Sequence, residues 1–91
     1  MEKNFLPRLN NYFMHLEILS AEEKIFSGDV DSVIFPGSQG QFQVLNNHAP
    51  IISSLQKGKI DYIKNSKKTS VEIKGGIVEV LKNNVNALIE V

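Results

Sequence analysis

Apolar and polar residues alternate with a period of two from Met14 to the C-terminus, and no helical period competes with that alternation over a useful length. Successive side chains of an extended strand point to opposite faces, so Met14, Leu16 and Ile18 share one face while His15 and Glu17 share the other. The pattern returns in Val33 and Phe35 against Ser32 and Ile34, in Phe42 and Val44 against Gln41 and Gln43, and in Val71 and Ile73 against Glu72 and Lys74. It closes with Val78 and Val80 around Glu79, then Val85, Ala87, Ile89 and Val91 against Asn86 and Glu90. A sheet with one apolar face must cover it, and without a helix the cover is a second sheet about 10 Å away. The expected fold class is all-β, a β-sandwich of about ten short strands.

Turn chemistry divides the runs at the short intervals of such a fold. Ser27-Gly28-Asp29 is expected to separate Ile25-Phe26 from Val30, and Pro36-Gly37 suits a type II turn. Gly58 divides the strand ending at Leu55 from Ile60 to Lys64, Asn65 to Lys68 reads as a polar loop, and Gly75-Gly76 allows a bend or bulge. Asn83-Asn84 suits a two-residue hairpin. Residues 1–13 lack a clear period and read as a tail that need not be ordered, leaving residues 14–91 as the domain.

Ninety-one residues make one domain, with 42% hydrophobic and 22% charged residues and no cysteine. A core must therefore use most of the apolar residues, and neither a disulfide framework nor a thiolate metal site is available. Ten basic and ten acidic residues cancel overall, but residues 1–45 carry a net −3 and residues 46–91 a net +3. The lysines come singly or as Lys67-Lys68 without interleaved aromatic residues, which argues against a nucleic-acid groove. No apolar run approaches the roughly 18 residues that span a bilayer.

The stretch Pro36 to Pro50, "PGSQGQFQVLNNHAP", is the most distinctive for function. A phosphate cradle opens a helix and is usually joined by a lysine, whereas Gly37-Ser38-Gln39-Gly40 leads into a strand and reads as a turn. His48 as a general base would need an orienting carboxylate and a nucleophile, and its neighbours Asn46, Asn47, Ala49 and Pro50 supply neither. His15 shares a polar strand face with Glu17, where a solvated role is the default, and two histidines without a ligand pattern do not make a metal site. Composition and period alone end at a small β-sandwich without a named function.

The order of short motifs goes further. "HLEILSAEEKIFSGDVDSV", "PGSQGQFQVLNNHAPIISSLQKGKI" and "EIKGGIVEVLKNNVNALIEV" together resemble the N-terminal domain of the epsilon subunit of bacterial F-type ATP synthase. The specific parts are the spacing of Ser20 to Gly28, the Gly-Ser-x-Gly turn, the His48-Ala49-Pro50 triplet, and Gly75-Gly76-Ile77 followed by Glu79-Val80. The resemblance implies a flattened sandwich with no active site of its own, at the foot of a rotating central stalk on the cytoplasmic face of the inner membrane. Such a domain holds the gamma subunit on one side, rests on the polar loops of the c-ring, and couples proton transport to ATP synthesis without inserting into the membrane. It further implies that Ser20, His48 and Ser53 face gamma and that Gly37, Ser38, Gln39, Gly40 and Gln41 face the c-ring.

Two departures bear on that expectation. Gln41 stands where many members carry a carboxylate and Gln43 where they carry glycine, so an ion pair with the ring is not expected. The family commonly continues into two helices that regulate ATP hydrolysis and in some members bind ATP. The sequence ends at Val91, so neither that helical hairpin nor a cofactor is expected. A free-standing β-sandwich adaptor or small-ligand-binding module is the alternative and predicts a concave apolar pocket. A hydrolase using His48 is a third reading, which loss of activity in His48→Ala would support.

Overall fold

The computed structural model describes residues 13–91, so the expected tail lies outside the described residues except for Phe13. Nine strands follow one another without a helix among the described residues: β1 (Met14–Leu19), β2 (Lys24–Val30), β3 (Ser32–Gly37), β4 (Gly40–Leu45), β5 (Ile51–Leu55), β6 (Gly58–Lys64), β7 (Lys67–Ile73), β8 (Gly75–Leu81) and β9 (Asn84–Glu90). They form a continuous ladder in the order β2-β1-β9-β8-β5-β3-β6-β7, with β4 on the other edge of β3. All pairs are antiparallel except β1 with β9, which joins the first strand to the last.

This ladder is bent into two facing layers. Strand β5 meets β3 only at Leu55 and Gly37, where the chain passes from one layer to the other. At the opposite side β2 comes over β6, and the Phe26 and Tyr62 rings meet with centroids 4.3 Å apart. The layers are thus β2-β1-β9-β8-β5 and β7-β6-β3-β4, as the one-sided alternation requires. Met14, Leu16, Ile18, Val78, Val80, Val85, Ala87 and Ile89 from the first layer pack with Val33, Phe35, Val44, Ile60 and Ile73 from the second into one core. Each fully buried large side chain contributes about 1.5–3 kcal/mol relative to exposure. Val91 departs from the expected alternation: it lies past the end of β9 and is 56% exposed.

Several turns fall elsewhere than expected, each for a local reason. Ser27-Gly28-Asp29 does not break the chain, since β2 runs through it in register with β1. A Cβ on Gly28 would sit 3.2 Å from the Phe26 ring and 3.3 Å from Lys64 Nζ, so this glycine allows the close crossing of β2 over β6. Pro36 and Gly37 belong to β3, and the turn is Ser38-Gln39. The last hairpin turns on Lys82-Asn83, with φ of 51° and 63°, and Asn65-Ser66 turns likewise with φ of 52° and 66°. Paired positive φ values match the right-handed twist of the flanking strands. Gly76 lies inside β8 at φ 155°, where a Cβ would come within 2.5 Å of the Leu88 carbonyl oxygen.

Candidate partner-docking surface

His48 sits in the β4–β5 loop. Its Nδ1 donates to the Ala49 carbonyl at 2.7 Å and its N–H to the Leu45 carbonyl at 3.1 Å, and among the described residues no carboxylate is bonded to its ring. The loop is tied to the β8–β9 turn by the Asn47 N–H, which donates to Asn83 Oδ1 at 2.7 Å. This is how a loop is positioned, and it holds neither the orienting acid nor the nucleophile of a hydrolase.

His15 is better connected. On the outer face of β1 and β2 its Nε2 lies 3.0 Å from Glu17 Oε2 and its Nδ1 3.4 Å from Asp29 Oδ1, while Ser27 Oγ donates to the same Glu17 oxygen at 2.9 Å. The Glu17 hydrogen bond raises the pKa of His15 against a smaller opposing effect of burial, with Asp29 adding to the rise. The His15 and Ser27 hydrogen bonds lower that of Glu17. Among the described residues no group of three or more His, Asp or Glu side chains is disposed to hold a metal ion.

The outer face of the first layer has a different character further along. Register places Ile52 opposite Glu79, Ser54 opposite Ile77, and Ile77 opposite Leu88, so Ile52, Ile77 and Leu88 share the solvent side of β5, β8 and β9. They are 68%, 48% and 54% exposed and, with Leu19, line a shallow open depression bordered by Glu79 and Asn86. The outer face of the second layer carries Lys59, Asp61, Lys68, Ser70 and Glu72 instead, with Ser70 Oγ donating to Asp61 and Lys68 Nζ 3.9 Å from the same carboxylate. Contiguous exposed apolar side chains on the first face, against a mostly charged second face, make the first the candidate docking surface.

The residues expected at sites are spread over the molecule. Gly37 to Gln41 form the tip and base of the β3–β4 hairpin, pinned to β5 where the Ser38 N–H donates to the Ser54 carbonyl at 3.0 Å and Ser54 Oγ donates to Ser38 Oγ at 2.9 Å. Gly37 is needed there because a Cβ would come within 2.6 Å of the Gly40 carbonyl oxygen. Ser53 lies on β5 with Oγ donating to the Ser54 carbonyl, and His48 precedes the same strand. Ser20 is apart from both: in the β1–β2 turn its Oγ accepts from the Glu23 N–H at 3.2 Å and the Glu22 N–H at 3.4 Å. Sequence reasoning missed Ile52, Ile77 and Leu88. Their signal is the apolar doublet, Ile51-Ile52, Ile77-Val78 and Leu88-Ile89, in which one member must face outward.

Fold and surface define a small all-β module suited to holding partners. Residues 13–91 match the ATP synthase, Delta/Epsilon chain, beta-sandwich domain. The chain belongs to that family. An ATP synthase epsilon chain of Maricaulis maris is 40% identical over 77 residues, covering 85% of this chain and 58% of its own length. That of Nitratiruptor is 45% identical over 78 residues, covering 85% and 60%. The chain thus spans little more than half the length of these relatives. In solved structures the fold is similar to a chain of the Euglena gracilis mitochondrial ATP synthase, OSCP/F1/c-ring, with a TM-score of 0.82 at 20% identity over 98% of this chain and 55% of that one. It is also similar to a chain of the Tetrahymena thermophila mitochondrial ATP synthase central stalk/c-ring, with a TM-score of 0.75 at 12% identity over 86% and 63%.

Proposed function

We propose that the domain is a non-catalytic part of the rotor of an F-type ATP synthase, joining the gamma subunit to the c-ring and coupling proton transport to ATP synthesis. Its place is at the cytoplasmic face of the membrane, held there through the complex. No helix among the described residues is long and apolar enough to cross a membrane. The observation that carries this reading is the exposed apolar set Ile52, Ile77 and Leu88 on one outer face of a stiff sandwich within this family. Burying such a set against gamma removes apolar surface from water, while a close-packed two-layer core transmits force without an internal bistable element. The hairpin tip Gly37 to Gln41 meets the polar loops of the c-ring with its amide side chains, without desolvating a charge. His48 and Ser53 border the gamma side from β5, and Ser20 contributes from the β1–β2 turn.

Mixing the chain with purified gamma subunit of the same organism tests the reading. A stable complex is expected at micromolar concentration, weakened at least about tenfold by Ile52→Asp or Leu88→Asp, because a carboxylate would then be desolvated in the contact. No complex with the unsubstituted chain at that concentration sinks the proposal.

A further inference from the structure

Strand β4 has a partner on one edge only, since it pairs with β3 and with no other strand among the described residues. The direction of its main-chain groups follows from Pro36. That residue has no N–H, and its carbonyl accepts from the Gln56 N–H at 2.9 Å on the side of β3 away from β4, so Pro36 and Gln41 form a non-hydrogen-bonded pair. Antiparallel pairs alternate, so Ile34–Gln43 and Ser32–Leu45 are of the same kind. The N–H and C=O groups of Gln41 and Gln43, and the N–H of Leu45, therefore point out of the sheet along one open edge. The Leu45 carbonyl is occupied by the His48 N–H.

An open edge is normally guarded by charge, proline or a bulge, because it templates pairing with another chain. The other ends of the ladder are guarded: β7 carries Lys67, Lys68 and Glu72, and β2 carries Lys24 and Asp29. Strand β4, Gly-Gln-Phe-Gln-Val-Leu, carries none of these devices. The lack of charge extends over the whole segment, as the 25 residues from Ser32 to Gln56 include no Asp, Glu, Lys or Arg. Strand β5 lies within it and brings Ile52, a member of the exposed apolar set, into the same uncharged segment.

We infer that the free edge of β4 accepts an extended strand of the gamma subunit, extending the second layer by main-chain hydrogen bonds at Gln41, Gln43 and Leu45. The inference rests on the rotor reading above. The incoming strand would be uncharged at the positions facing this edge, since a charged side chain there would meet no counter-charge from Ser32 to Gln56. Strand addition of this kind draws affinity from the main chain and tolerates varied side chains.

The test uses the full chain and purified gamma subunit, with two readouts. Amide hydrogen exchange on the complex is expected to slow at Gln41 and Gln43 by at least about tenfold, while amides on the outer edge of β7 are unchanged. In parallel, Gln43→Pro removes the outward N–H without touching a β3–β4 bond and is expected to weaken binding at least about tenfold. Gln43→Ala, which keeps that N–H, stays within about twofold. Should Gln43→Pro fail to fold, exchange on the unsubstituted complex decides alone. Binding with Gln41 and Gln43 amides still exchanging freely overturns the inference and leaves the rotor reading standing, whereas no binding at all removes both. A dimer of the isolated chain that Gln43→Pro abolishes, with gamma binding unaffected by it, makes a second copy the occupant and overturns the choice of gamma.

Discussion

The sandwich has two open rims built on opposite principles. At one, β2 lies over β6 beside the free edge of β7, and the ladder ends carry Lys24, Asp29, Lys67, Lys68 and Glu72. At the other, β4 and β5 expose backbone, amide side chains and the apolar Leu45 and Ile52, and no charge occurs from Ser32 to Gln56. Both rims present the same liability, unpaired main-chain groups, yet only one is defended against pairing. A domain that must stay soluble and also hold a neighbour would concentrate charge where contact is unwanted and withhold it where contact is needed. The interior follows the same division. Beneath the neutral rim Phe35 is fully buried and stacks on Phe42 at 5.7 Å, whereas the charged rim is closed by the partly exposed Phe26, with Lys64 Nζ 5.8 Å from its ring.

The largest expected effect compares those two aromatic plugs. Phe35→Ala should cost about 3–5 kcal/mol, as the close-packed core around this fully buried ring cannot collapse into the space. Phe26→Ala should cost less, about 1–3 kcal/mol, because solvent already reaches that ring and Lys64 can move over the gap. Urea unfolding of both variants measures this. Equal losses would mean that the rims are equally tight and that the division is confined to the surface.

A smaller effect follows from removing the guard. With Lys67, Lys68 and Glu72 changed together to Gln, the β7 edge becomes as neutral as that of β4. Concentration-dependent self-association is then expected in sedimentation experiments at concentrations where the parent chain stays monomeric. Gln41→Lys with Gln43→Lys is the converse change and should leave the chain at least as soluble. If neutralising β7 has no effect, charge is not what protects that edge.

Period-two alternation carried most of the fold into view, because Met14, Leu16, Ile18, Val33, Phe35, Val44, Val78, Val80, Val85, Ala87 and Ile89 are all buried as their parity requires. Gly28 was misread because a glycine that lets two strands cross looks, in sequence, like one that lets a chain turn. The last hairpin was displaced by one residue because Lys82 can also adopt positive φ, so the asparagines alone did not fix the turn. The surface was less legible. Ile52, Ile77 and Leu88 show themselves as apolar doublets, but that they converge depends on the pairing of β5 with β8 and β8 with β9. That β4 keeps a free edge depends in turn on β5 pairing with β8 instead of with β4, a long-range event that local pattern does not encode.

The smallest effect lies on the outer face of β1 and β2, beside the charged rim, and separates a tuned cluster from incidental surface charge. His15 is faced by Glu17 from its own strand and by Asp29 and Ser27 from β2, with Lys24 near enough to Glu17 to act on it, while β9 offers only Asn84 and Asn86 opposite. Its pKa is raised above the ordinary 6.5. Protonated His15 therefore favours the folded state, and that contribution is complete below 6.5 and lost as pH rises through the folded value. Glu17 is lowered from 4.5, so its contribution is present above that value and lost as pH falls through the folded one. The pair thus stabilises most between the two, in mildly acidic solution. His15→Gln should lower the melting temperature relative to the parent at about pH 5.5 and close the gap at about pH 8.5, where the parent imidazole is neutral. Because these side chains are partly exposed to solvent, the gap should be small and should shrink in high salt. A difference that is the same at both pH values would show that His15 acts by packing and that its carboxylate partners are mere neighbours.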